Sequence, residues 1–246
     1  MEPQPLTPDV TVLAEQVKSL GYAVVPGLLN RGFVESVRPG FLDLLETQCR
    51  LSGFNRGTNR CQMYLPFEPP FAVPELYANP LVLAVLDQLI PPEPALVYFA
   101  SDTALPGCDY QFPHSDTRLL FPETGLSLPT YGVVLNVPLV DCSVANGSLE
   151  FWPGGSHLIA AAPPGDIGDR IPGQRANLKA GDGLLRDLRM WHRGTPNRST
   201  EVRPHLALVY VRGWYRFEQD PPVVSRPEFD RIPEQFRRLL RYAVIR

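Results

Sequence analysis

A mainly-β fold with flanking helices, its strands closing into a sandwich or barrel, is the architecture this sequence predicts, and three observations carry that prediction. From residue 95 onward short apolar runs are each bounded by Gly, Pro, Asn or Asp, the pattern of strands separated by turns. The first ninety residues and the stretch Glu228 to Val244 instead space their apolar residues at helical intervals. The 28 prolines are dispersed along the chain. Proline removes a backbone donor and is excluded from helix interiors and central strands, so much of the chain must be loop.

The elements follow in order. Thr7 to Lys18 places Val10, Leu13, Ala14 and Val17 on one helical face, and Tyr22-Ala-Val-Val-Pro follows as a short strand ended by proline. Asn30 caps a second helix carrying Phe33, Val37, Phe41, Leu44 and Leu45, with a break or kink expected at Pro39-Gly40. A third helix is expected from Pro80 to Ile90, burying Leu81, Val85, Leu86 and Leu89. Strands are expected at Leu96-Val-Tyr-Phe, from Tyr131 to Val140, from Ser148 to Trp152, from Gly183 to Arg186, and within Arg203 to Phe217. The C-terminal stretch, with Phe229, Ile232, Phe236, Leu239 and Leu240, reads as a helix outside the sheets. No run of Gly, Ser or charge divides the 246 residues. One domain over 1–246 is expected, with a helical part at about 1–92, a β core at about 93–217 and a C-terminal helix at about 227–244.

Composition removes several function classes. The formal net charge is -3 and no basic stripe is visible, which argues against nucleic acid as a partner. No apolar run reaches the length of a membrane span, and MEPQPLTPDV lacks the basic start and apolar core of a signal peptide. A cytoplasmic monomer or homodimer acting on a small molecule is the expectation. Cys49, Cys61, Cys108 and Cys142 form no Cys-x-x-Cys pair, so neither a zinc knuckle nor a redox dithiol is suggested.

The chain has only four histidines, His114, His157, His192 and His205. His114-Ser-Asp116 sets an imidazole and a carboxylate two residues apart, so on an extended segment both face the same way and can share one ion. By itself such a tripeptide is as readily a surface turn. A further imidazole from His192, in Trp191-His192-Arg-Gly-Thr, would complete a two-histidine, one-carboxylate facial triad with open positions, which suits Fe(II) and O2. Arg203 follows at the mouth of the apolar strand Leu206-Ala-Leu-Val-Tyr. A guanidinium there suits a bidentate pair with the far carboxylate of a keto-diacid chelated to the metal.

Taken together, these residues resemble the phytanoyl-CoA dioxygenase family of 2-oxoglutarate enzymes. The resemblance rests on His114-Ser-Asp116, Asn146-Gly-Ser-Leu-Glu-Phe-Trp-Pro-Gly-Gly-Ser-His157, the Gly181-Asp182 turn, and His192 followed eleven residues on by Arg203. An extra glycine in Pro153-Gly-Gly-Ser-His157 is the one departure. The resemblance covers roughly residues 95 to 215 and implies a double-stranded β-helix, a jelly roll of cupin-like form. It also implies a dioxygenase that holds Fe(II) on His114, Asp116 and His192 and binds 2-oxoglutarate through Arg203, with O2 as oxidant and succinate and CO2 as products. Thr195 or Ser199 would add a hydroxyl contact, and Asn136 would touch the co-substrate from the long strand. In the same frame His157 is a turn residue rather than a fourth ligand, and His205 is packed in the core or lines the pocket. The carboxylate of Asp116 favours hydroxylation over halogenation, with desaturation, ring formation and demethylation left open.

Candidate substrate contacts are Arg60, Gln62, Tyr64, Gln111, Arg118 and Arg186, with Trp152, Trp191 and Trp214 as core or pocket wall. The chain length favours a small free metabolite, such as an intermediate of specialised metabolism. The segments Phe112 to Pro129 and Ala161 to Asn177 are candidate lids by length and composition. Two other classes compete: a cupin-like hydrolase or isomerase using Zn or Mn, and a metal-binding sensor without turnover. The hydrolase or isomerase has no need for Arg203, and keto-acid-dependent O2 consumption separates both classes from the oxygenase.

Overall fold

Helix α1, Val10–Leu20, begins where the Asp9 side chain accepts hydrogen bonds from the Thr11 and Val12 amides, and ends at Gly21 in the left-handed conformation. The computed structural model describes residues 8–246; Thr7, the expected first residue of this helix, lies outside the described residues. Strand β1 is Tyr22–Val25. Helix α2, Arg31–Ser52, is capped by Asn30, whose side chain accepts from the Phe33 amide at 2.8 Å. It continues through Pro39 as one helix, so of the expected break or kink the break is absent. Pro39 sits on the solvent face, and the carbonyl that loses its donor belongs to exposed Glu35, so it is not left unsatisfied in the core. Strand β2, Arg60–Tyr64, and the single-turn helix α3, Pro74–Tyr77, were not expected. Four successive residues of β2 are buried, so it shows no alternation to read. Helix α4, Pro80–Leu89, starts at an Asn79 cap.

Seven further strands build the β part: β3 Ala95–Ala104, β4 Gly132–Pro138, β5 Glu150–Phe151, β6 Gln174–Arg175, β7 Gly183–Asp187, β8 His192–Arg193 and β9 Arg203–Val211. A six-stranded antiparallel sheet has the order β1-β7-β4-β9-β3-β2, and a three-stranded sheet the order β6-β5-β8. The N-terminal third is therefore more than helical, because it supplies both edge strands of the large sheet. A buried cluster containing Phe151, Leu178, Leu184 and Met190 joins the two sheets. The expected double-stranded β-helix is the observed fold.

Alternation along β9 decides where the chemistry sits. Leu206, Leu208 and Tyr210 join the core formed with Val37 and Phe41 of α2 and Val82, Val85 and Leu86 of α4. Burying one such side chain contributes about 1.5–3 kcal/mol. The intervening residues Arg203, His205, Ala207 and Val209 consequently face the space between the sheets. The C-terminal stretch is a correction: helix stops at Arg231, Ile232 is extended, and one turn at Glu234–Arg237 and a 3-10 turn at Arg238–Leu240 follow. Pro233 disfavours helical geometry at the residue before it and donates no bond. Among the described residues no helix is long and apolar enough to cross a membrane.

The Gly181-Asp182 turn joins β7 to the chain entering α2. Gly181 has φ +87, and a Cβ there would lie 2.4 Å from the Leu29 carbonyl oxygen. Gly181→Ala is expected to lose at least about 1–2 kcal/mol from the left-handed backbone alone. Urea unfolding checks this: the midpoint falls while the slope is kept, and an unchanged midpoint would contradict it.

Candidate metal centre

His114 lies opposite His192 in an isolated antiparallel bridge, each amide donating to the other residue's carbonyl at 2.9 Å. On its other side His192 pairs with Phe151 of β5. Two residues beyond His114, the Asp116 amide donates to the Leu188 carbonyl at 3.1 Å. Backbone pairing thus sets the side chains. Asp116 Oδ1 is 3.4 Å from His192 Nε2 and 4.0 Å from His114 Nε2, and one candidate ligand atom from each residue lies within 4.8 Å of the others.

The protonation pattern suits a cation. His114 Nδ1 is 2.8 Å from the Phe112 carbonyl and His192 Nδ1 is 2.9 Å from the Met190 carbonyl. A carbonyl only accepts, so each Nδ1 carries the proton and each Nε2 presents its lone pair. Desolvation, then the neighbouring His192, push the His114 imidazole down to about 4, leaving it neutral at pH 7. Burial alone would raise the Asp116 carboxyl, but Arg186 and then His192 outweigh it and hold it well below the usual carboxylate range. A neutral imidazole at His114 beside an ionised Asp116 carboxylate is what metal binding requires.

A cavity of about 250 Å³ opens over these groups. Its floor on the large sheet is Val134, Asn136, His205, Ala207 and Val209. Asn136 Oδ1 accepts from Arg186 Nε at 3.0 Å, and Arg186 donates to Asp116 Oδ2 at 2.5 Å. At the end of the same face lies Arg203, 1% exposed. One of its amino groups donates to the Asp102 carbonyl at 3.4 Å, while Nε and the other amino group have no acceptor. Burial, with the charge of Arg60 acting in the same direction, depresses its pKa. Arg60 is also fully buried; one amino group donates to the Thr195 and Asp109 carbonyls and the other finds no hydrogen-bond partner, Asp102 Oδ2 being 3.9 Å away. Two adjacent buried guanidinium groups are thus left with unused donors.

Other expected residues fall elsewhere. The Thr195 hydroxyl donates to the Ser148 carbonyl, and that of Ser199 to the Asn197 side chain, so both organise the turn after β8 and neither lines the cavity. His205 does line it, 3.2 Å from Cys142 Sγ, and burial drives it well below the usual histidine range. His157 is structural: its Nε2 meets the Lys18 carbonyl at 2.9 Å, tying its turn to α1. Of the six candidate substrate contacts, Gln62, Gln111 and Arg186 line the cavity, Arg60 lies behind its wall, Tyr64 is at the surface, and Arg118 pairs with Glu218 in solvent. Trp152 and Trp191 pack together, whereas Trp214 is exposed rather than core or wall. Of the candidate lids, the first carries His114 and Asp116 themselves and exposes Phe112 and Leu126, and the second is anchored by β6 pairing with β5. Missing from the expectations were Arg186 as the partner of Asp116 and Arg60 as the neighbour of Arg203, because an arginine acquires such a role only through cross-strand register.

The sequence profile of the phytanoyl-CoA dioxygenase family matches residues 18–205. Among solved structures, the epimerase SnoN from nogalamycin biosynthesis, in complex with Fe3+, alpha ketoglutarate and nogalamycin RO, superposes with a TM-score of 0.62 at 20% identity, covering 87% of this chain and 94% of that one. HygX from Streptomyces hygroscopicus, with nickel, 2-oxoglutarate and hygromycin B bound, gives 0.64 at 20% identity over 83% and 89%. The alpha ketoglutarate dependent carbocyclase SnoK from nogalamycin biosynthesis gives 0.61 at 21% identity over 82% and 83%.

Proposed function

The chain belongs to the phytanoyl-CoA dioxygenase family, and from that premise we propose that it is an Fe(II)- and 2-oxoglutarate-dependent oxygenase that oxidises a small molecule of specialised metabolism. The observation that carries this reading is the buried Arg203 guanidinium with two unused donors, on the same face of β9 as the cavity-lining His205 and Ala207 but behind the lining, beside Asp102. A hydrolase or isomerase using the same triad would gain nothing from it. A dicarboxylic keto acid would satisfy it.

The donor set fits the metal. His114 and His192 turn their Nδ1 atoms to carbonyls and their Nε2 atoms toward Asp116, which offers an ionised oxygen, the two-histidine, one-carboxylate set that suits Fe(II). When bound, iron and keto acid supply O2 activation coupled to release of succinate and CO2. The chain's own residues do the rest. Arg203, with Arg60 beside it behind the cavity wall, would hold the far carboxylate once the wall at Asp102 gives way to it, Asn136 braces Arg186, and Val134, Ala207 and Val209 keep the floor dry. Toward the mouth, Gln62, Gln111, Ser115 and Gln219 supply amide and hydroxyl groups and Phe217 an apolar face. That mixture orients a polar, oxygen-rich substrate better than a long acyl chain. The similar structures SnoN and HygX, which hold nogalamycin RO and hygromycin B, point the same way. Hydroxylation is the reaction proposed; epimerisation and ring closure, named for SnoN and SnoK, need the same residues with a differently placed substrate.

The test is succinate formation. Protein supplied with Fe(II), 2-oxoglutarate and O2 is expected to convert the keto acid faster than iron alone, even without substrate. No conversion, together with no effect of 2-oxoglutarate on the absorption of the metal-loaded protein, would leave the hydrolase and sensor readings ahead.

A further inference from the structure

Among the described residues Arg186 is the one cation in direct contact with the triad, and its three polar neighbours define what it does. It extends from β7 into the cavity wall, 5% exposed. Its Nε is held by Asn136 Oδ1 at 3.0 Å, and one amino group donates to Asp116 Oδ2 at 2.5 Å. The opposite oxygen of that carboxylate, Oδ1, is the one facing both imidazole Nε2 atoms. The second amino group lies 3.4 Å from His192 Nδ1, but that nitrogen already carries the proton it donates to the Met190 carbonyl. Two donors face each other there, so this amino group lacks an acceptor at the cavity wall.

Resting on the oxygenase reading above, we propose that Arg186 is a positioning residue that engages one oxygen of Asp116 and cancels its charge, so that the metal keeps both the room and the positive charge to bind an anionic keto acid. Two physical consequences follow. A carboxylate with Oδ2 engaged offers the metal one oxygen rather than two, which leaves a coordination position open. With the Asp116 charge balanced by Arg186, a bound divalent cation retains its full charge toward the incoming carboxylate, and the unused Arg186 amino group adds a donor beside it. Arg186 thus favours the co-substrate at the expense of the metal. A brace that merely held the fold would support both.

The opposed signs make the test. Co(II) is titrated into apo-protein, and 2-oxoglutarate into Co(II)-loaded protein, following the cobalt absorption, for wild type, Arg186→Met and Arg186→Lys. Arg186→Met is expected to keep or tighten Co(II) binding, because Asp116 then faces the cation with its charge uncompensated, and to weaken 2-oxoglutarate binding by at least about tenfold. Arg186→Lys, which restores the charge, should recover most of the loss. Should the methionine variant fail to fold, Arg186→Gln, neutral but still able to hydrogen-bond Asn136 and Asp116, carries the same prediction. Weakening of Co(II) and 2-oxoglutarate together, with a lowered melting temperature, would make Arg186 a structural brace and overturn the proposal, as would no change in either affinity. A wild type that binds Co(II) but not 2-oxoglutarate fails at the earlier step and overturns the oxygenase reading together with this one.

Discussion

His192→Ala is expected to weaken Fe(II) or Mn(II) binding by more than about a hundredfold, beyond the loss typical of an outer-shell partner, and to abolish succinate formation while the protein stays folded. The separation of effects follows from where the residue's bonds lie. Its pairing to His114 and to Phe151 is made by main-chain atoms, which alanine retains. What is removed is the imidazole whose Nε2 stands 3.4 Å from Asp116 Oδ1. The bond from Nδ1 to Met190 goes with it, leaving one carbonyl to be hydrated. Titration with Mn(II), read by electron spin resonance of the free ion, and far-ultraviolet dichroism of the same samples measure the two effects separately. Equal Mn(II) affinity in wild type and variant would remove His192 from the metal site.

The second large effect is at Arg203. Arg203→Ala is expected to weaken 2-oxoglutarate binding by about two orders of magnitude or more, since truncating one partner of a buried, hydrogen-bonded charge pair costs about 2–5 kcal/mol. Metal affinity should hardly move, because Arg203 makes no contact with the triad. Loss of the side chain also removes a buried cation that burial already disfavours, so the variant should melt no lower than wild type in the absence of co-substrate. Steady-state kinetics in 2-oxoglutarate distinguishes the cases: a raised KM with kcat recovered at high concentration is expected. A variant with unchanged KM would place the far carboxylate elsewhere, with Arg60 the next guanidinium to replace.

Much of this arrangement is legible in the sequence, and the reason is local. His114 and Asp116 sit two apart on an extended segment, and four histidines in 246 residues leave few partners for them. Arg203 is readable because it opens an apolar strand whose alternation fixes its face. The convergence of His192 with His114 is a matter of backbone pairing between distant segments, which the family resemblance supplied and residue spacing did not. The direction of a hydroxyl in a turn is less legible. Thr195 and Ser199 sit close to His192 in sequence, yet the turn directs their hydroxyls to Ser148 and Asn197. Likewise Pro39 signals a break that solvent exposure of the freed carbonyl makes unnecessary, and the helical period after Glu228 runs past a proline that ends the helix.

The paired amides of His114 and His192 carry one more consequence. Because two main-chain hydrogen bonds fix the spacing of the imidazoles, the entropy of bringing distant segments together is lost when the protein folds, not when the ion arrives. Such a socket is filled and emptied without refolding, unlike a zinc finger, whose chain collapses only around its metal. Occupancy then stabilises the protein by mass action alone, about 2.7 kcal/mol at a hundredfold excess over the dissociation constant. The ion is accordingly expected to be chosen by supply and by ligand chemistry, and a chelator to empty the site reversibly with the fold retained.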